Sequence, residues 1–267
     1  MLGAIIGDIA GSIWEFKPYK SKNFEFLTDL DTFTDDSVMT FAIAKSLLEC
    51  KSDYSDLSEI TVKNMQSLGK KYSDAGYGGM FFNWIFSSDP KPYNSYGNGA
   101  AMRVSSCGIV AKSIEEAKIL SRKVTEVTHN HPEGLKGAEA TAVAIFLAKT
   151  GKTQLEIKQY INDNYYPMNF TLDEIREDYY FDVTCQGSVP QAIKAFVEAK
   201  DYEDCIRNAI SLGGDADTQA AIAGGIAEYY FGIPESLRNK GIGYLTDDLL
   251  QILSAFESKY GFKICKP

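Results

Sequence analysis

Cysteine and histidine, the side chains that form disulfides and ligate zinc, are scarce in this chain of 267 residues. The two histidines lie in one short segment, and the five cysteines are scattered, odd in number and without Cys-x-x-Cys spacing. This pattern argues against a disulfide framework and against a zinc site, and it predicts cysteines that are small core or surface residues. They are Cys50, Cys107, Cys185, Cys205 and Cys265.

Long apolar runs are also lacking, although 45% of the residues are hydrophobic. No run approaches the roughly 20 residues that a membrane-spanning helix needs, so we expect no membrane partner. The segment from Met1 to Asp8 has no basic residue of the kind that opens a signal peptide. We therefore expect a cytoplasmic protein.

Positive charge is in deficit, because 27 Lys and Arg face 36 Asp and Glu and leave a net charge of −9. Without a basic stripe that releases counterions from a phosphate backbone, bulk binding of nucleic acid is not expected. A single nucleotide-like ligand is compatible with this charge.

Strand-like alternation is scarce, whereas helical periodicity recurs along the chain. No linker, low-complexity tract or repeat divides the sequence, and a boundary near residue 150 is the only rival to a single domain. We predict an all-α fold, a single-domain orthogonal multi-helix bundle over residues 1–267, with a long loop at 87–99. Helices are expected near 3–15 and 37–48, and at 56–72, 113–127, 134–149, 154–162, 190–199, 202–212, 216–230 and 246–260.

Two acidic clusters lie far apart in the sequence, Thr-Asp-Asp-Ser at residues 34–37 and Asp-Ala-Asp-Thr at residues 215–218. Their carboxylates and hydroxyls form an all-oxygen ligand set, which suits Mg²⁺ or Mn²⁺ and not zinc. Each cluster precedes a predicted helix. If the fold brings them together, they form a binuclear metal cleft at helix N-termini.

Helix capping is the simpler explanation of each cluster alone, since Asp, Ser and Thr are preferred N-caps. One cap needs only one such residue, however. Paired aspartates repel each other, so doubling the acid at both places costs stability unless a cation compensates. For one cluster the two explanations are equally good, and for both together metal binding is favoured.

Glycines recur every fourth residue near the start of the chain, at Gly3, Gly7 and Gly11. Glycine inside a helix costs about 0.5–1 kcal/mol relative to alanine, so this spacing indicates close approach of another helix or a ligand. Asp8 and Glu15 lie on the same face. We expect Asp8 to be a buried hydrogen-bonding residue and Glu15, near the helix end, to reach a site.

Two further segments carry candidate ligand contacts. The stretch from Gly97 to Arg103 leads into an apolar helix and offers backbone N–H groups to an anion, although Asn-Gly is first of all a turn signal. The pair His129 and His131 has a spacing that suits either metal ligands or hydrogen-bonding loop residues. We favour His129 as a hydrogen bonder to a ligand.

In this order the segments resemble the ADP-ribosylglycohydrolase family, all-α hydrolases that remove ADP-ribose from modified proteins. The resemblance covers nearly the whole chain, and five motifs in the same order make it specific. The matching segments are Gly7–Gly11 with Glu15, Thr34–Asp36, Gly97–Arg103, Thr128–Pro132, and Gly213–Thr218 followed by two alanines.

The resemblance implies a centre of two Mg²⁺ or Mn²⁺ that holds the distal ribose of ADP-ribose and a bridging water, with Glu15 nearby. Its metal ligands would be Thr34, Asp35, Asp36, Asp215, Asp217 and Thr218. The diphosphate and neighbouring ribose would contact Gly97, Asn98, Gly99, Ala100, Met102 and His129. Candidates for proton transfer are Glu15, Asp35 and Asp36, among which the sequence does not choose.

Two residues depart from the family pattern. Ala100 stands where many relatives have serine, which removes a hydroxyl contact to the diphosphate. Ser37 replaces a threonine and keeps the hydroxyl. Neither change removes a carboxylate.

The predicted reaction is metal-dependent hydrolysis of the bond between ADP-ribose and a protein side chain, arginine first and serine second, which releases ADP-ribose. A two-metal phosphohydrolase is disfavoured, because no basic residue is near either cluster in sequence and Arg103 alone is a thin substitute. A non-catalytic ADP-ribose-binding or crystallin-like protein of the same fold is the other alternative, and the intact acids argue against it.

Overall fold

The computed structural model describes residues 1–261, and within them the chain forms fifteen α-helices and one 3₁₀ turn. No β-strand occurs in this part of the chain, only an isolated bridge between Gly97 and Thr184. The predicted all-α class is confirmed. Cys265 and the last residues of the predicted domain lie outside the described residues.

The first seven helices lead up to the histidine segment, and the other eight follow it. The first group is α1 Leu2–Gly11, α2 Asp35–Glu49, α3 Leu57–Lys71, α4 Gly79–Phe86, α5 Gly99–Met102, α6 Ser105–Val110 and α7 Ile114–Thr125, with the 3₁₀ turn at Ser12–Trp14. The second is α8 Pro132–Lys149, α9 Gln154–Asn164, α10 Leu172–Arg176, α11 Cys185–Val197, α12 Tyr202–Ile210, α13 Ala216–Tyr230, α14 Glu235–Ile242 and α15 Asp247–Tyr260.

Side-chain caps set several of these boundaries. Thr153 and Glu156 form a capping box at the start of α9, close to the predicted start. The predicted start of α11 at Pro190 is wrong, because the side chain of Thr184 caps the helix at Gly187 N and Pro190 lies inside it. Proline is preferred in the first turn, which is why the sequence suggested a later start.

Helices α1 and α13 pack so closely that their backbones touch. A Cβ on Gly7 would lie 2.1 Å from Ala220 O, and one on Gly11 would lie 2.4 Å from Asp217 Cα. The four-residue glycine spacing therefore serves helix packing, one of the two roles expected from the sequence. This packing joins the first and last parts of the chain.

One continuous cluster of buried apolar side chains runs from α1 to α15. Helix α8 contacts α6 and α7, which precede it, and α11 and α13, which follow it, so packing crosses the position near residue 150. The single domain over residues 1–267 stays a prediction.

Two expectations from composition can be compared with the described residues. Among residues 1–261 no helix combines the length and apolarity needed to cross a membrane. The four described cysteines are free thiols: three of them are buried in the core, and Cys50 is partly exposed.

Candidate functional site

The two acidic clusters meet, because the α1–α13 packing brings the N-terminus of α13 beside that of α2. A cavity of about 420 Å³ opens there. Both clusters therefore lie at helix N-termini, as predicted. Of the predicted site residues, the lining includes Glu15, Asp35, Asp36, Gly97, Asn98, Gly99, Met102, His129, Asp215, Asp217 and Thr218, but neither Thr34 nor Ala100.

In the first cluster, Thr34 is the residue that caps the helix. Its Oγ1 accepts a hydrogen bond from Asp36 N at 3.2 Å. Neither carboxylate of the cluster is needed for this cap. Asp36 Oδ2 accepts from Thr218 Oγ1 of the second cluster at 3.2 Å, while Asp36 Oδ1 is buried without a partner among the described residues.

In the second cluster, Asp215 occupies the N-cap position of α13 but its side chain makes no capping bond. Its Oδ2 accepts instead from Asn98 Nδ2 at 2.7 Å. Asp217 Oδ1 accepts from Thr218 N at 2.8 Å. Capping therefore does not account for the acids of this cluster, and their role as metal ligands stays a prediction.

Asp8 holds the first cluster in place from α1. Its carboxylate accepts from Thr34 N and Oγ1 at 3.0 and 2.6 Å, from Ser37 N at 3.0 Å, and from Ser37 Oγ. The prediction of a buried hydrogen-bonding residue is confirmed. Its nearness to the predicted metal ligands was missed, although its position on the same helix face as Glu15 was a signal.

The carboxylates form two overlapping groups that share Asp217. In one group, oxygens of Asp8, Asp36 and Asp217 all lie within 4.8 Å of one another, and in the other the same holds for Glu15, Asp215 and Asp217. No lysine or arginine pairs with these acids in residues 1–261. Their charge is uncompensated by protein cations.

Burial raises the pKa of all these carboxyl groups and of the neighbouring Asp35, and repulsion within the cluster adds to the rise for Glu15, Asp35, Asp36 and Asp217. The pKa of Glu15 rises to about 7, first through burial and then through Asp215 and Asp8. The pKa of Asp35 rises to about 8, through burial, Asp8 and Glu15. The pKa values of Asp36 and Asp217 are raised well above their usual range, mainly by burial. Binding of protons or of cations would relieve this concentration of buried negative charge.

The glycine loop has fewer free amides than the sequence suggested. Gly97 N donates to Ser95 Oγ at 3.1 Å, Asn98 N to Val183 O at 2.7 Å, and Ala100 N to Gly97 O at 3.1 Å. These amides serve the loop itself and its bridge to the start of α11. Contrary to the expectation from the sequence, these three amides are therefore not free to bind an anion.

Arg103 and two aromatic residues of the cavity wall were not identified from the sequence as site residues. Arg103 is buried at the wall beside His129, which was a predicted ligand contact, and it reaches Thr128 on the histidine segment. The exposed rings of Phe16 and Phe181 meet at the cavity with centroids 5.7 Å apart. Phe181 belongs to an irregular segment that carries no sequence signal for a site.

Two ADP-ribosylhydrolases are similar in sequence to this chain over most of its length. Human ADP-ribosylhydrolase ARH3 is 26% identical over an alignment that covers 94% of this chain and 90% of that protein. The ADP-ribosylarginine hydrolase Tri1 of Pseudomonas putida is 24% identical, covering 87% and 70% respectively.

A solved structure described as an ADP-ribosylglycohydrolase-related protein complex superposes with a TM-score of 0.69 at 21% identity. The superposition covers 98% of this chain and 97% of the chain in that structure, which shows a shared fold. The sequence model of the family described as ADP-ribosylglycohydrolase matches residues 1–260. The chain therefore belongs to the ADP-ribosylglycohydrolase family of hydrolases.

Proposed function

We propose that this protein hydrolyses the glycosidic bond between ADP-ribose and a protein side chain, with arginine as the first candidate acceptor and serine as the second. The observation that carries the proposal is the pair of carboxylate groups sharing Asp217 in a cavity also lined by the Gly97–Met102 loop. The name of the Tri1 relative supports arginine as the first acceptor to test.

The donor set fits two divalent cations of the Mg²⁺ or Mn²⁺ type. All the groups are hard oxygens, the buried Asp36 Oδ1 has no partner in the described part of the chain, and the raised pKa values mark uncompensated charge. Bound cations would supply Lewis acidity and lower the pKa of a ligated water. The residues that would hold them are Thr34, Asp35, Asp36, Asp215, Asp217 and Thr218.

Glu15 is the best placed of the three proton-transfer candidates. It is only partly buried, lines the cavity, and has a pKa near 7, where a carboxylate exchanges protons readily at neutral pH. Asp36 is deeply buried and bonded to Thr218, which suits a ligand role better. Asn98 orients Asp215 and Asp8 fixes the start of α2, so both act on the geometry of the acids.

An assay of free ADP-ribose tests the reaction. The purified protein is incubated with arginine-, serine- and cysteine-ADP-ribosylated proteins, with Mg²⁺ or with EDTA. Release from the arginine conjugate in Mg²⁺, and none in EDTA, is the expected result. No release from any conjugate, together with tight binding of ADP-ribose, would identify the non-catalytic alternative instead.

Binding of the product tests whether sugar and cations meet. ADP-ribose should inhibit hydrolysis competitively and bind more tightly with Mg²⁺ than in EDTA, because ribose hydroxyls would ligate the cations that these acids hold. Calorimetric titration measures both affinities. Equal affinity in Mg²⁺ and EDTA would place the ribose away from the acids.

A further inference from the structure

Arg103 is a fully buried cation without a carboxylate partner in the described residues. Its Nη2 donates to Thr128 Oγ1 at 2.7 Å, its guanidinium lies 5.7 Å from the ring centre of Phe81, and its Nε has no partner there. A guanidinium only donates hydrogen bonds and stays protonated. Burying such a charge unpaired is costly, so its place at the cavity wall calls for a function.

The hydroxyl of Thr128 connects this arginine to His129. Because Arg103 cannot accept, Thr128 Oγ1 accepts from it and keeps its own proton to donate. Two acceptors are near: His129 Nδ1 at 2.7 Å and Thr125 O at 3.4 Å. Hydroxyl hydrogen bonds are commonly about 2.5–3.0 Å long, so the two distances favour His129 Nδ1 over the Thr125 carbonyl as the acceptor of this proton.

A second contact leads to the same assignment. Arg103 Nη2 faces His129 Nδ1 at 3.5 Å, and a donor there also disfavours a proton on that nitrogen. A neutral imidazole whose Nδ1 accepts carries its proton on Nε2. This Nε2 faces the glycine loop: a Cβ built on Gly99 would lie 3.4 Å from Nε2, and one built on Gly97 would lie 3.7 Å from it.

We propose that Arg103 is a positioning residue that, through Thr128, fixes His129 as an Nε2–H donor toward the cavity. The opposite tautomer would present a lone pair there and repel an anion. Arg103 and His129 thus form a wall of donors in a cavity otherwise rich in carboxylates. The ligand of this wall is an anionic group such as a diphosphate. The assignment of the ligand rests on the proposed function, whereas the assignment of the tautomer does not.

Nitrogen NMR of full-length protein labelled with ¹⁵N-histidine tests the tautomer directly. The chain has only two histidines, so a His131→Asn variant assigns both rings. His129 should show an unprotonated, hydrogen-bonded Nδ1 and a protonated Nε2. A proton on Nδ1 in the wild-type protein would overturn the proposal.

Threonine variants provide a matched comparison. Thr128→Val removes the connecting hydroxyl, Thr128→Ser retains it, and Thr125→Val removes a neighbouring buried hydroxyl that has no partner in the described chain. The change that this hydrogen bond causes in the ¹⁵N chemical shift of His129 Nδ1 should disappear in Thr128→Val and persist in the other two variants. An unchanged spectrum in Thr128→Val would show that this hydroxyl does not set the tautomer.

Calorimetry with ADP-ribose, with adenosine as the phosphate-free probe, tests the ligand. Thr128→Val should weaken ADP-ribose binding about tenfold and Arg103→Met at least as much, with adenosine binding unchanged. Thr128→Ser and Thr125→Val should stay within about twofold of wild type. Equal loss in Thr128→Val and Thr125→Val would overturn the positioning role. Wild-type protein that binds no ADP-ribose would refute the proposed function, and the NMR result would still decide the tautomer.

Discussion

Asp217 is the single residue on which both groups of carboxylates depend. Asp217→Asn keeps the side-chain volume and an oxygen that accepts from Thr218 N. Loss of one negative charge beside the two proposed cations should lower metal affinity and reduce hydrolysis by orders of magnitude. The metal-free fold should be as stable as wild type or more stable, because repulsion from Asp36 and Asp215 is removed. Activity and metal-free Tm, measured on one sample, check this.

Asp247→Asn is the matched control, since Asp247 is an exposed first-turn aspartate of another helix, α15. It should leave metal binding and hydrolysis unchanged. Wild-type hydrolysis by Asp217→Asn would remove this residue from the site and count against the two-cation mechanism.

Single residues were predictable from the sequence where local chemistry was unusual. The paired acids stood out because capping needs only one of them, and Asp8 stood out as an acid on a glycine-rich helix face. Arg103 was noticed but given no role, since its function depends on Thr128 and His129, which lie 25 and 26 positions away. Such partners become visible only when the fold is known.

At the scale of helices, the contact between α1 and α13 determines the geometry of the site. Gly11→Ala would place a methyl group 2.4 Å from Asp217 Cα, which forces the start of α13 outward. We expect a loss of about 1–3 kcal/mol in stability. Metal affinity should fall as well, because Asp217 moves with the backbone. Denaturant unfolding and metal titration measure the two effects.

Gly225→Ala on α13 is the control for this variant. A Cβ there would lie 3.4 Å from Ile145 and Ser105 side-chain atoms, an ordinary contact. The higher helix propensity of alanine should leave stability unchanged or raised by up to about 1 kcal/mol. Equal losses in the two variants would mean that the α1–α13 contact has no special role.

Helix positions were predictable where periodicity was long, as for α3, α9 and α13. The short helices α4, α10 and α14 were not predicted, because too few turns are present to establish a period. The glycine spacing of α1 predicted a close neighbour but not which one. The identity of α13 as that neighbour depends on long-range packing that no local pattern encodes.

For the whole molecule, the buried acids make metal-free stability depend on pH in an unusual direction. Folding raises the pKa of Asp35 from 3.8 to about 8 and that of Glu15 from 4.5 to about 7, so the folded state binds more protons than the unfolded state between about pH 4 and 8. Stability without metal should therefore fall as pH rises through this window. His129 acts oppositely, since its pKa is lowered, but it is one group against several acids.

Divalent cations should reverse this dependence, because they bind the deprotonated carboxylates and displace the protons. At pH 8 a Mg²⁺ concentration of 100 times Kd should stabilise the fold by about 2.7 kcal/mol per independent site, and at pH 5 the gain should nearly vanish. Tm measured from pH 5 to 8, in EDTA and in Mg²⁺, should give curves of opposite slope. Asp35→Asn should flatten the EDTA curve, since it removes one of the groups that titrate in the window. A metal-free Tm that rises from pH 5 to 8 would show that the acids are not held in the buried, mutually repelling arrangement on which the proposed two-cation site depends.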